Sequence, residues 1–415
     1  MRHPLGGHVC RACATPDFHP GAPVPVGSIL VTSHDFVVPE SIGRDINCGM
    51  RLHVIDVPLE RFLAHKERLV ALLKGDLLEA ARNVPTTPAA MTALFADGLG
   101  AFWRAMRGTR EGLFAQVDFA QVEAETARLF SASHIKGNPA YAPEALQDKR
   151  RGMLRDPGLA TLGAGNHFCE FQYVAQVLDR HRAFELGVRS GQLALMVHSG
   201  SRDVGSYIGT RWMDRAKAEW PAGVKHPQSG LYGLCGPLAD EYLAAMHAAA
   251  HYADANRALI VELVRQRIRQ VFGDQSMPLV CDVPHNIVLS EAGGNVHRKG
   301  ATPAHAGQPL LIPGSMGDDS YLLDGLGHER WASSASHGAG RAVSRMEMAW
   351  KSKHEGDANQ ASGQRAFECI TLREERRIEE APDAYKPIGP VITSQVEEGL
   401  ARPIARLSPL LTFKA

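Results

Sequence analysis

The chain lacks a net charge, a long apolar run and an export signal. Its 415 residues include 45 basic and 45 acidic side chains, so the total charge gives no indication of a nucleic-acid partner, although local basic clusters can still bind phosphates. No apolar stretch approaches the roughly 18 residues that a membrane span needs, and no basic start precedes an apolar signal core. We therefore expect a cytoplasmic protein with no membrane partner.

Cysteine is scarce for a chain of this length. The seven cysteines are an odd number and are scattered, which argues against a disulfide framework. Cys10 and Cys13 form one C-x-x-C pair without the second pair of a four-ligand zinc site, and a strand over residues 9–14 would send their thiols to opposite faces. The cysteines that carry no motif are predicted to lie in the core: Cys169, Cys235, Cys281 and Cys369.

The sequence has neither a G-x-x-x-x-G-K-[ST] phosphate loop nor a convincing dinucleotide fingerprint. Two neighbouring segments nevertheless combine features that suit phosphates. His297-Arg298-Lys299 presents adjacent cations, and residues 311–317 form a Gly/Ser turn with backbone N–H groups available to an anion. A nucleotide would therefore occupy a non-standard pocket.

What the chain does have is apolar material for a large core, at 44% of its residues. Gly, Pro and β-branched runs predict strands joined by turns in residues 1–50. Further strands are predicted at residues 193–197, 279–283, 287–289, 309–312 and 321–323. Helical spacing predicts helices at residues 58–82, 114–130 and 206 onward, and one or two buried helices at residues 238–271. Residues 132–156 have the composition of a loop.

No internal repeat or low-complexity linker divides the sequence, and the residues suited to chemistry are spread from residue 45 to residue 337. One central cleft in a single domain over residues 1–415 accounts for this spread better than separable modules do. We expect an α+β fold, with central mixed β-sheet layers flanked by helices.

Four histidines and one cysteine share a context, in which a metal-capable side chain ends a short strand near Gly or Asn. They are Cys48, His167, His198, His285 and His337. Each one alone would more often be a packing or turn residue. Their recurrence in loop-prone surroundings favours a shared site.

Asp45 lies three residues before Cys48, so one tight turn can aim a carboxylate and a thiolate at the same point. With the imidazoles of His167, His198 and His285, these side chains form a set of O, S and N donors sufficient for two metal ions. The donor types alone favour zinc. The dispersed spacing favours a catalytic site over a structural one.

His337 lies among small residues, between a short strand pattern and a helix-compatible run at residues 342–350. By itself this segment predicts equally well a capped turn and a phosphate-handling site. The metal-capable residues elsewhere favour a nucleophile that faces a metal centre. Gly338 and Gly340 would then leave room for a nucleotide.

Taken together, these motifs resemble the RtcB family of RNA-splicing ligases, in family order and across nearly the whole chain. The motifs are Pro16-Asp17-Phe-His19-Pro-Gly21, Asp45-Ile-Asn-Cys48-Gly-Met50, Leu162-Gly-Ala-Gly-Asn166-His167-Phe168-Cys-Glu170, His198-Ser-Gly-Ser-Arg202, Pro284-His285-Asn286, His297-Arg-Lys-Gly-Ala-Thr302, Ile312-Pro-Gly-Ser-Met-Gly317, Ser336-His337-Gly-Ala-Gly-Arg341 and Ala381-Pro-Asp-Ala-Tyr385-Lys386.

The resemblance implies an RtcB-like fold and a GTP- and Mn(II)-dependent ligase of RNA repair or tRNA splicing. Such an enzyme joins RNA that carries a 3′-phosphate or 2′,3′-cyclic phosphate to RNA that carries a 5′-hydroxyl. His337 matches the nucleophile that becomes guanylylated. Two manganese ions, in place of zinc, are implied for the ligand positions Asp45, Cys48, His167, His198 and His285.

The resemblance also implies a GTP pocket, with Glu170 and Lys414 as readers of the guanine base. The full set is Asn166, His167, Phe168, Cys169, Glu170, His285, Asn286, Pro313, Gly314, Ser315, Met316, Ser320, His337, Gly338, Ala339, Gly340 and Lys414. The candidates for binding RNA phosphates are Arg202, Arg298, Lys299 and Arg341.

The chain departs from the family pattern at several positions, all of which we expect near RNA-binding surfaces. Only fifteen residues precede the Pro16 motif, which suggests a shortened member of the family. The replacements are Gly21-Ala22-Pro23 for Gly-Lys-Gly, Asp203 and Asp383 for Gly, and Ala335 for Cys. These changes bear on substrate choice.

Two other functions remain open from the sequence. One is a metal-dependent RNA 3′-end guanylyltransferase or phosphodiesterase that does not join ends. The other is a non-catalytic RNA-binding scaffold. The natural RNA, the need for an accessory protein and the oligomeric state are also open.

Overall fold

The structure, a computed structural model, describes residues 4–130, 135–355 and 368–415. Strands and helices both make up large parts of these ranges, which confirms the predicted α+β fold. The predicted loop at residues 132–156 is described from residue 135 onward, and residues 132–134 lie outside the described ranges. None of the described helices combines the length and the apolar character that a membrane crossing requires.

The strands coincide with the apolar and β-branched runs of the sequence, including all five segments predicted after residue 190. In the described ranges they are β1 (Val9–His19), β2 (Val26–Thr32), β3 (Phe36–Val37), β4 (Gly49–Ile55), β5 (Phe168–Val177), β6 (Leu193–Ser199), β7 (Leu234–Cys235), β8 (Leu279–Pro284), β9 (Asn286–Glu291), β10 (Gly294–Lys299), β11 (Ala301–Pro303), β12 (Pro309–Ile312), β13 (Ser320–Gly325), β14 (Ser334–Ser336), β15 (Cys369–Thr371) and β16 (Ala401–Lys414).

The helices include one much longer than the rest. It spans the segment at residues 238–271 for which one or two helices are predicted, has proline in its first turn and ends at Phe272, directly before Gly273, whose φ is 78°. In the described ranges the helices are α1 (Leu59–Leu77), α2 (Pro88–Asp97), α3 (Leu99–Met106), α4 (Phe119–Thr126), α5 (Arg180–Glu185), α6 (Arg202–Ala218), α7 (Pro237–Phe272), α8 (Arg345–Glu355), α9 (Glu374–Glu379) and α10 (Ile388–Glu397).

Helix α6 begins at Arg202, four residues earlier than its apolar pattern predicted. Gly205 and Gly209 lower helix propensity, but a Cβ at either position would lie 2.6–2.7 Å from a carbonyl oxygen of Arg44 or Gly43. The two glycines therefore let the helix pack directly on the backbone that leads to Asp45. Packing outweighs propensity at this position.

The largest sheet has the strand order β12-β13-β16-β5-β6-β4-β8 in the described ranges. Its neighbouring strands are antiparallel, and β15 adds one parallel pairing with β16, so the sheet is mixed as predicted. A second, antiparallel sheet has the order β1-β2-β10-β9, and β11 pairs with β14. Strand β14, which leads into His337, thus pairs with β11, and β11 begins two residues after β10 ends.

The two faces of the large sheet have different environments. Leu193, Leu195 and Val197 of β6 pack into a core that includes α1 and α7. Side chains alternate along a strand, so Met196 and His198 lie on the opposite face. That face carries the candidate site.

All seven cysteines are free, which confirms that no disulfide framework exists. Residues 9–14 lie in β1, with Cys10 exposed and Cys13 packed against the small core of Ile29. The core prediction is wrong for Cys235, which is exposed because β7 is a two-residue strand at the protein surface. Cys169, Cys281 and Cys369 are buried as predicted.

Candidate active site

The five predicted metal ligands meet because strand pairing brings their segments to one edge of the large sheet. Gly49 of β4 pairs with Ser199 on one side and with Pro284 on the other. Cys48 directly precedes Gly49, His198 precedes Ser199, and His285 follows Pro284. Phe168 of β5 pairs with His198, which places His167 at the same edge.

The donor atoms of these side chains converge closely. Cys48 Sγ lies 3.2 Å from His167 Nε2 and 3.1 Å from His198 Nε2. His198 Nε2 lies 3.2 Å from His285 Nε2, and His167 Nε2 lies 3.0 Å from Asp45 Oδ2. The donors form two groups that share the Cys48 sulfur, one with His198 and His285 and one with Asp45 and His167.

Backbone carbonyls determine which nitrogen of two of these histidines is free. His167 Nδ1 donates to the carbonyl oxygen of Leu162 at 2.9 Å, and His198 Nδ1 donates to that of Asn166 at 3.2 Å. In the neutral form of either ring, Nε2 is therefore the nitrogen without a proton, and it faces the shared thiol. Carbonyl partners of this kind orient histidine ligands in metal sites.

Burial disfavours the charged form of two of the imidazoles, those of His198 and His285. It lowers the pKa of His198 and of His285 well below the ordinary histidine value, and the neighbouring histidines add to this effect. Burial also raises the pKa of the Cys48 thiol, so a cation that binds here must displace its proton. Burial opposes ionisation of Asp45 as well, but His167 outweighs it and lowers the Asp45 pKa to about 2.

The donor set therefore fits divalent transition-metal ions. Ligand bonds of about 2.0–2.3 Å to a common cation bring donor atoms to separations close to those observed. A carboxylate, a thiolate and imidazoles suit several first-row metals, so the donors alone do not distinguish zinc from manganese.

His337 lies next to this donor set. It follows β14, and its ring centroid is 4.7 Å from that of His285. Helix α8 begins at Arg345, three residues after the start of the predicted helical run, so the junction at His337 is a loop.

The partner of His337 is the buried carboxylate of Asp17. His337 donates to Asp17 Oδ2 from Nδ1 at 2.7 Å and from its backbone N at 3.2 Å. Burial raises the Asp17 pKa, but His337 and the hydroxyl of Thr15 outweigh burial and lower it. The ionised carboxylate can only accept, so the ring proton of His337 is held on Nδ1 and Nε2 is left as the nucleophilic atom.

Both features border one cavity of about 350 Å³, a volume in the range of small-molecule sites. Most of the predicted site residues line it: Asp45, Cys48, Asn166, Phe168, Glu170, His198, His285, Asn286, Pro313, Gly314, Ser315, Met316, His337, Gly338, Ala339, Gly340 and Lys414. His19, Lys299, Arg341, Arg345, Glu380, Tyr385 and Thr412 line it as well.

Three predicted pocket residues do not line the cavity. His167 lies behind Asp45, within the donor set. The Cys169 side chain points into the helix-side core, because it alternates along β5 with Phe168 and Glu170. Ser320 is buried, and its hydroxyl accepts from Gln172 Nε2, which also donates to Glu170 at 2.6 Å. Ser320 therefore supports Glu170 from behind.

One end of the cavity has an excess of positive charge. The buried Glu380 carboxylate lies 3.1 Å from Arg341, 2.7 Å from Arg345 and 3.8 Å from Lys414. It also accepts from the hydroxyl of Tyr385. Three cations around one carboxylate favour a polyanionic ligand.

Glu170 lies on the floor of the same cavity. Burial raises its pKa to about 7, although hydrogen bonds from Thr412 and Gln172 and the charge of Lys414 oppose the rise. Lys414 Nζ donates to the carbonyl oxygen of Gly165 at 3.1 Å. A carboxyl group and an ammonium group thus face one recess.

The structure corrects one candidate for RNA phosphates. Arg298 is fully buried, because β10 turns it toward the sheet interior. It donates to Ser334 Oγ at 2.8 Å, to the Ala332 carbonyl at 2.8 Å and to Glu291 at 2.6 Å. Its partners are all internal, so it stabilises the fold and does not reach RNA. Lys299, the next residue, lines the cavity.

Arg202 and Arg341 each have internal partners but are not fully buried. Arg202 Nε donates to Thr161 Oγ1 at 3.0 Å. Arg341 lines the cavity and donates to the Glu379 carbonyl at 2.7 Å. Both remain candidates for phosphate contacts.

The glycines around His337 have separate roles. A Cβ at Gly338 would make only ordinary contacts, the nearest at 3.7 Å from Pro313, so its small size leaves the cavity open. Gly340 has a φ of 78°, and a Cβ there would lie 2.3 Å from the Asp17 carbonyl oxygen. Gly340 therefore allows the Asp17 segment to approach, which is a different reason from the predicted clearance for a nucleotide.

The positions that depart from the family pattern do not all lie at the surface. Asp203 and Asp383 are exposed, in the first turn of α6 and in a short 3-10 turn before Tyr385. Ala335 is fully buried, since β14 pairs it with Thr302. The prediction that Ala335 lies near an RNA-binding surface is therefore wrong.

Two important residues carried no role in the sequence prediction. Asp17 belongs to the quoted Pro-Asp-x-His motif, and that motif was the signal available for it. Glu380 lies one residue before another quoted motif but has no local pattern of its own. Its role depends on three cations from distant segments.

Comparisons with known proteins point to one family. A family model described as tRNA-splicing ligase RtcB matches residues 3–415. The chain is 34% identical over 445 residues to the RNA-splicing ligase RtcB of Mycobacterium tuberculosis, covering 98% of this chain and 97% of that protein. It is 34% identical over 438 residues to the tRNA-splicing ligase RtcB of Archaeoglobus fulgidus, covering 95% and 86%. The corresponding protein of Methanococcus maripaludis is 32% identical over 445 residues, covering 97% and 87%.

Proposed function

The chain belongs to the RtcB family of RNA-splicing ligases, and we propose that it is a GTP- and Mn(II)-dependent RNA ligase that acts through a guanylylated His337. The RNA ends would be a 3′-phosphate or 2′,3′-cyclic phosphate and a 5′-hydroxyl. The observation that carries this proposal is the Asp17–His337 pair beside a convergent metal-donor set in one cavity.

The first step follows from the state of His337. Nε2 attacks the α-phosphorus of GTP, an N–P bond forms, and the bond to the β-phosphate oxygen breaks with release of pyrophosphate. The proton stays on Nδ1, where Asp17 accepts the hydrogen bond. The carboxylate thereby offsets the positive charge that the ring acquires, and no separate general base is needed.

Two further transfers complete the reaction. The guanylyl group passes from His337 Nε2 to the RNA 3′-phosphate, which regenerates the neutral imidazole. The 5′-hydroxyl oxygen of the second RNA then bonds to the activated phosphorus and gives up its proton to water, the bond from that phosphorus to the GMP phosphate oxygen breaks, and GMP leaves. A cyclic phosphate must first be opened by water to a 3′-phosphate.

Asp45, Cys48, His167, His198 and His285 would hold the two cations. Bound Mn(II) would polarise phosphate oxygens and offset the repulsion between nucleotide and RNA phosphates. His285 lies beside His337, so the reacting phosphorus and the cations would share one end of the cavity.

Other residues that line the cavity suit the rest of the nucleotide. Glu170, when ionised, can accept from the guanine N1–H and amino group, and Lys414 can donate to O6. Arg341 and Arg345, which lie beside Glu380, suit the phosphates. Lys299 lines the cavity and forms no ion pair with an acidic side chain in the described ranges, which makes it our first candidate for a contact with an RNA phosphate.

The test follows an end-labelled 3′-phosphate RNA on a denaturing gel, with GTP and Mn(II), with and without a 5′-hydroxyl partner RNA. We expect a joined product only when both ends and GTP are present. His337→Ala should abolish joining, and His181→Ala, a change at an exposed histidine on α5, should not.

Other outcomes would contradict the proposal in distinct ways. A guanylylated RNA end that is never joined would indicate an end-capping guanylyltransferase, and a shortened or dephosphorylated RNA would indicate a hydrolase. RNA binding without any covalent change under active-metal conditions would indicate a scaffold.

A further inference from the structure

One turn near the middle of α7 contains three buried polar residues that border no part of the cavity described above. They are Asp254, Asn256 and Arg257, with exposed fractions of 3%, 0% and 0%. Buried charges and amides are costly unless they are fully hydrogen-bonded. Their partners lie on the segments that carry the metal donors.

Arg257 bonds to two of these segments with one nitrogen. Its Nη1 donates to the Asn47 carbonyl at 2.8 Å and to the Ser199 carbonyl at 3.1 Å. Asn47 directly precedes Cys48, and Ser199 directly follows His198. A single guanidinium nitrogen therefore fixes the distance between the backbone of the thiol donor and that of an imidazole donor.

The other nitrogens of Arg257 extend this connection to the strand that precedes His285. Nε donates to Asp282 Oδ1 of β8 at 2.9 Å, and Nη2 donates to Asp254 Oδ1 at 2.7 Å. Asp254 Oδ1 also accepts from Asn47 Nδ2 at 2.8 Å. Asn47 has a φ of 54°, so these bonds hold the turn between Asp45 and Cys48 in a conformation that asparagine tolerates but most residues avoid.

Asn256 connects the remaining donor segment. Its Oδ1 accepts from the Thr161 backbone N at 2.9 Å, and its Nδ2 donates to the Thr161 carbonyl at 3.0 Å. The same Nδ2 is 2.9 Å from Ser199 Oγ, and that hydroxyl donates to the Leu162 carbonyl at 2.7 Å. This is the carbonyl that holds Nδ1 of His167.

We propose that residues Asp254, Asn256 and Arg257, here called the α7 clamp, position the metal-donor segments against each other and so preorganise the metal centre. The clamp residues belong neither to the cavity lining nor to the two donor groups, so they are positioning residues. The inference rests on the metal centre of the proposed function. According to this proposal, the hydrogen bonds from one turn of α7 set the short distances between the metal-donor atoms.

The test measures metal affinity and stability separately. Arg257→Lys keeps the charge but loses the fork of donors, and Ser199→Ala removes only the hydroxyl between Asn256 and Leu162. The matched control is Arg265→Lys. Arg265 is a buried arginine of α7 that bonds to Glu125 at 2.8 Å and to the Met277 carbonyl at 2.9 Å, with no contact to the donor segments among its described hydrogen bonds.

The metal-free protein is titrated with Mn(II) by calorimetry and with Co(II) by absorption, where a thiolate-to-metal band reports Cys48. Thermal unfolding of each metal-free protein measures stability. We expect Arg257→Lys to weaken affinity by roughly 10–100-fold and Ser199→Ala by roughly 10-fold, as supporting partners of metal ligands do. Arg265→Lys should lower the unfolding temperature while its affinity stays at the wild-type value.

The outcomes separate the inference from the function on which it rests. A wild-type protein that binds neither ion through Cys48 would contradict the metal centre itself. A wild-type protein that binds, with a folded Arg257→Lys of equal affinity, would overturn the clamp. If Arg257→Lys does not fold, an unchanged metal affinity in Ser199→Ala would overturn the clamp proposal. A loss of metal affinity in the control Arg265→Lys equal to that in the clamp variants would also overturn it.

Discussion

Replacing Asp17 by Asn tests the role of the carboxylate in forming the guanylylated histidine. Asp17 Oδ2 accepts from His337 Nδ1 at 2.7 Å and from the His337 backbone N at 3.2 Å, and Oδ1 accepts from Thr15 Oγ1 at 2.6 Å. An asparagine amide oxygen can replace Oδ2, and its NH₂ group can donate to the Thr15 hydroxyl, whose proton can turn to the Gly27 carbonyl at 3.1 Å. The geometry would survive and the charge would be lost.

The magnitude follows from the loss of one charge-assisted bond. A hydrogen bond to a buried charged group contributes about 1.5–3 kcal/mol, and Asp17 is fully buried. In the proposed reaction the ring of His337 would become positively charged as the N–P bond forms, so the Asp17→Asn protein would lose this stabilisation in the transition state. Asp17→Asn should slow guanylylation by roughly 10–100-fold.

The assay is single-turnover reaction of excess enzyme with labelled GTP and Mn(II), with the protein-bound label followed over time. The control is Asp324→Asn, which weakens a buried ion pair with Arg182 at 3.1 Å outside the cavity and should lower stability without slowing the adduct. An Asp17→Asn protein that is folded and forms the adduct at the wild-type rate would refute the reasoning.

Further predictions concern the site and its surroundings. Cys48→Ala should weaken metal binding by both donor groups, because they share the Cys48 sulfur, whereas Asp45→Ala should weaken binding by one group only. The stoichiometry of Mn(II) binding, measured by calorimetry, checks this. The affinity for a fluorescent GTP analogue should rise from pH 6 to pH 8. Burial raises the Glu170 pKa to about 7, and only the ionised carboxylate can accept both hydrogen bonds from guanine. In Glu170→Gln the affinity should depend less on pH. Arg298→Ala should lower the free energy of unfolding, measured in urea, by about 2–3 kcal/mol, because its internal hydrogen-bond partners would be left unsatisfied. The affinity for RNA should not change. Lys299→Ala should do the reverse, losing RNA affinity in a gel-shift assay but little stability.

Much of the fold could be predicted because the local pattern determines it. The predicted strands after residue 190 are present, and the long apolar segment forms the single helix α7. Helix starts were less predictable. Gly205 and Gly209 have low helix propensity, so the sequence pattern missed the first turns of α6. These glycines are present because they allow close contact with the backbone of Gly43 and Arg44. That residues 1–415 form one domain stays a prediction.

The donor residues could be found from sequence because each lies in a distinctive motif at a strand end. Their supporting partners could not, since those contacts join distant segments. Asp17 meets His337 across 320 residues, and Arg257 joins two donor segments from the opposite side of the sheet. Arg298 shows the opposite error, because a basic run in the sequence does not reveal which side chain the strand turns inward.

The most direct measurement is incubation of the metal-free protein with α-labelled GTP and Mn(II), followed by denaturation and mapping of the label. We predict a covalent guanylyl adduct on His337 that is stable to base, labile to acid, dependent on Mn(II) and absent in His337→Ala. No adduct under these conditions, or an adduct that persists in His337→Ala, would contradict the account.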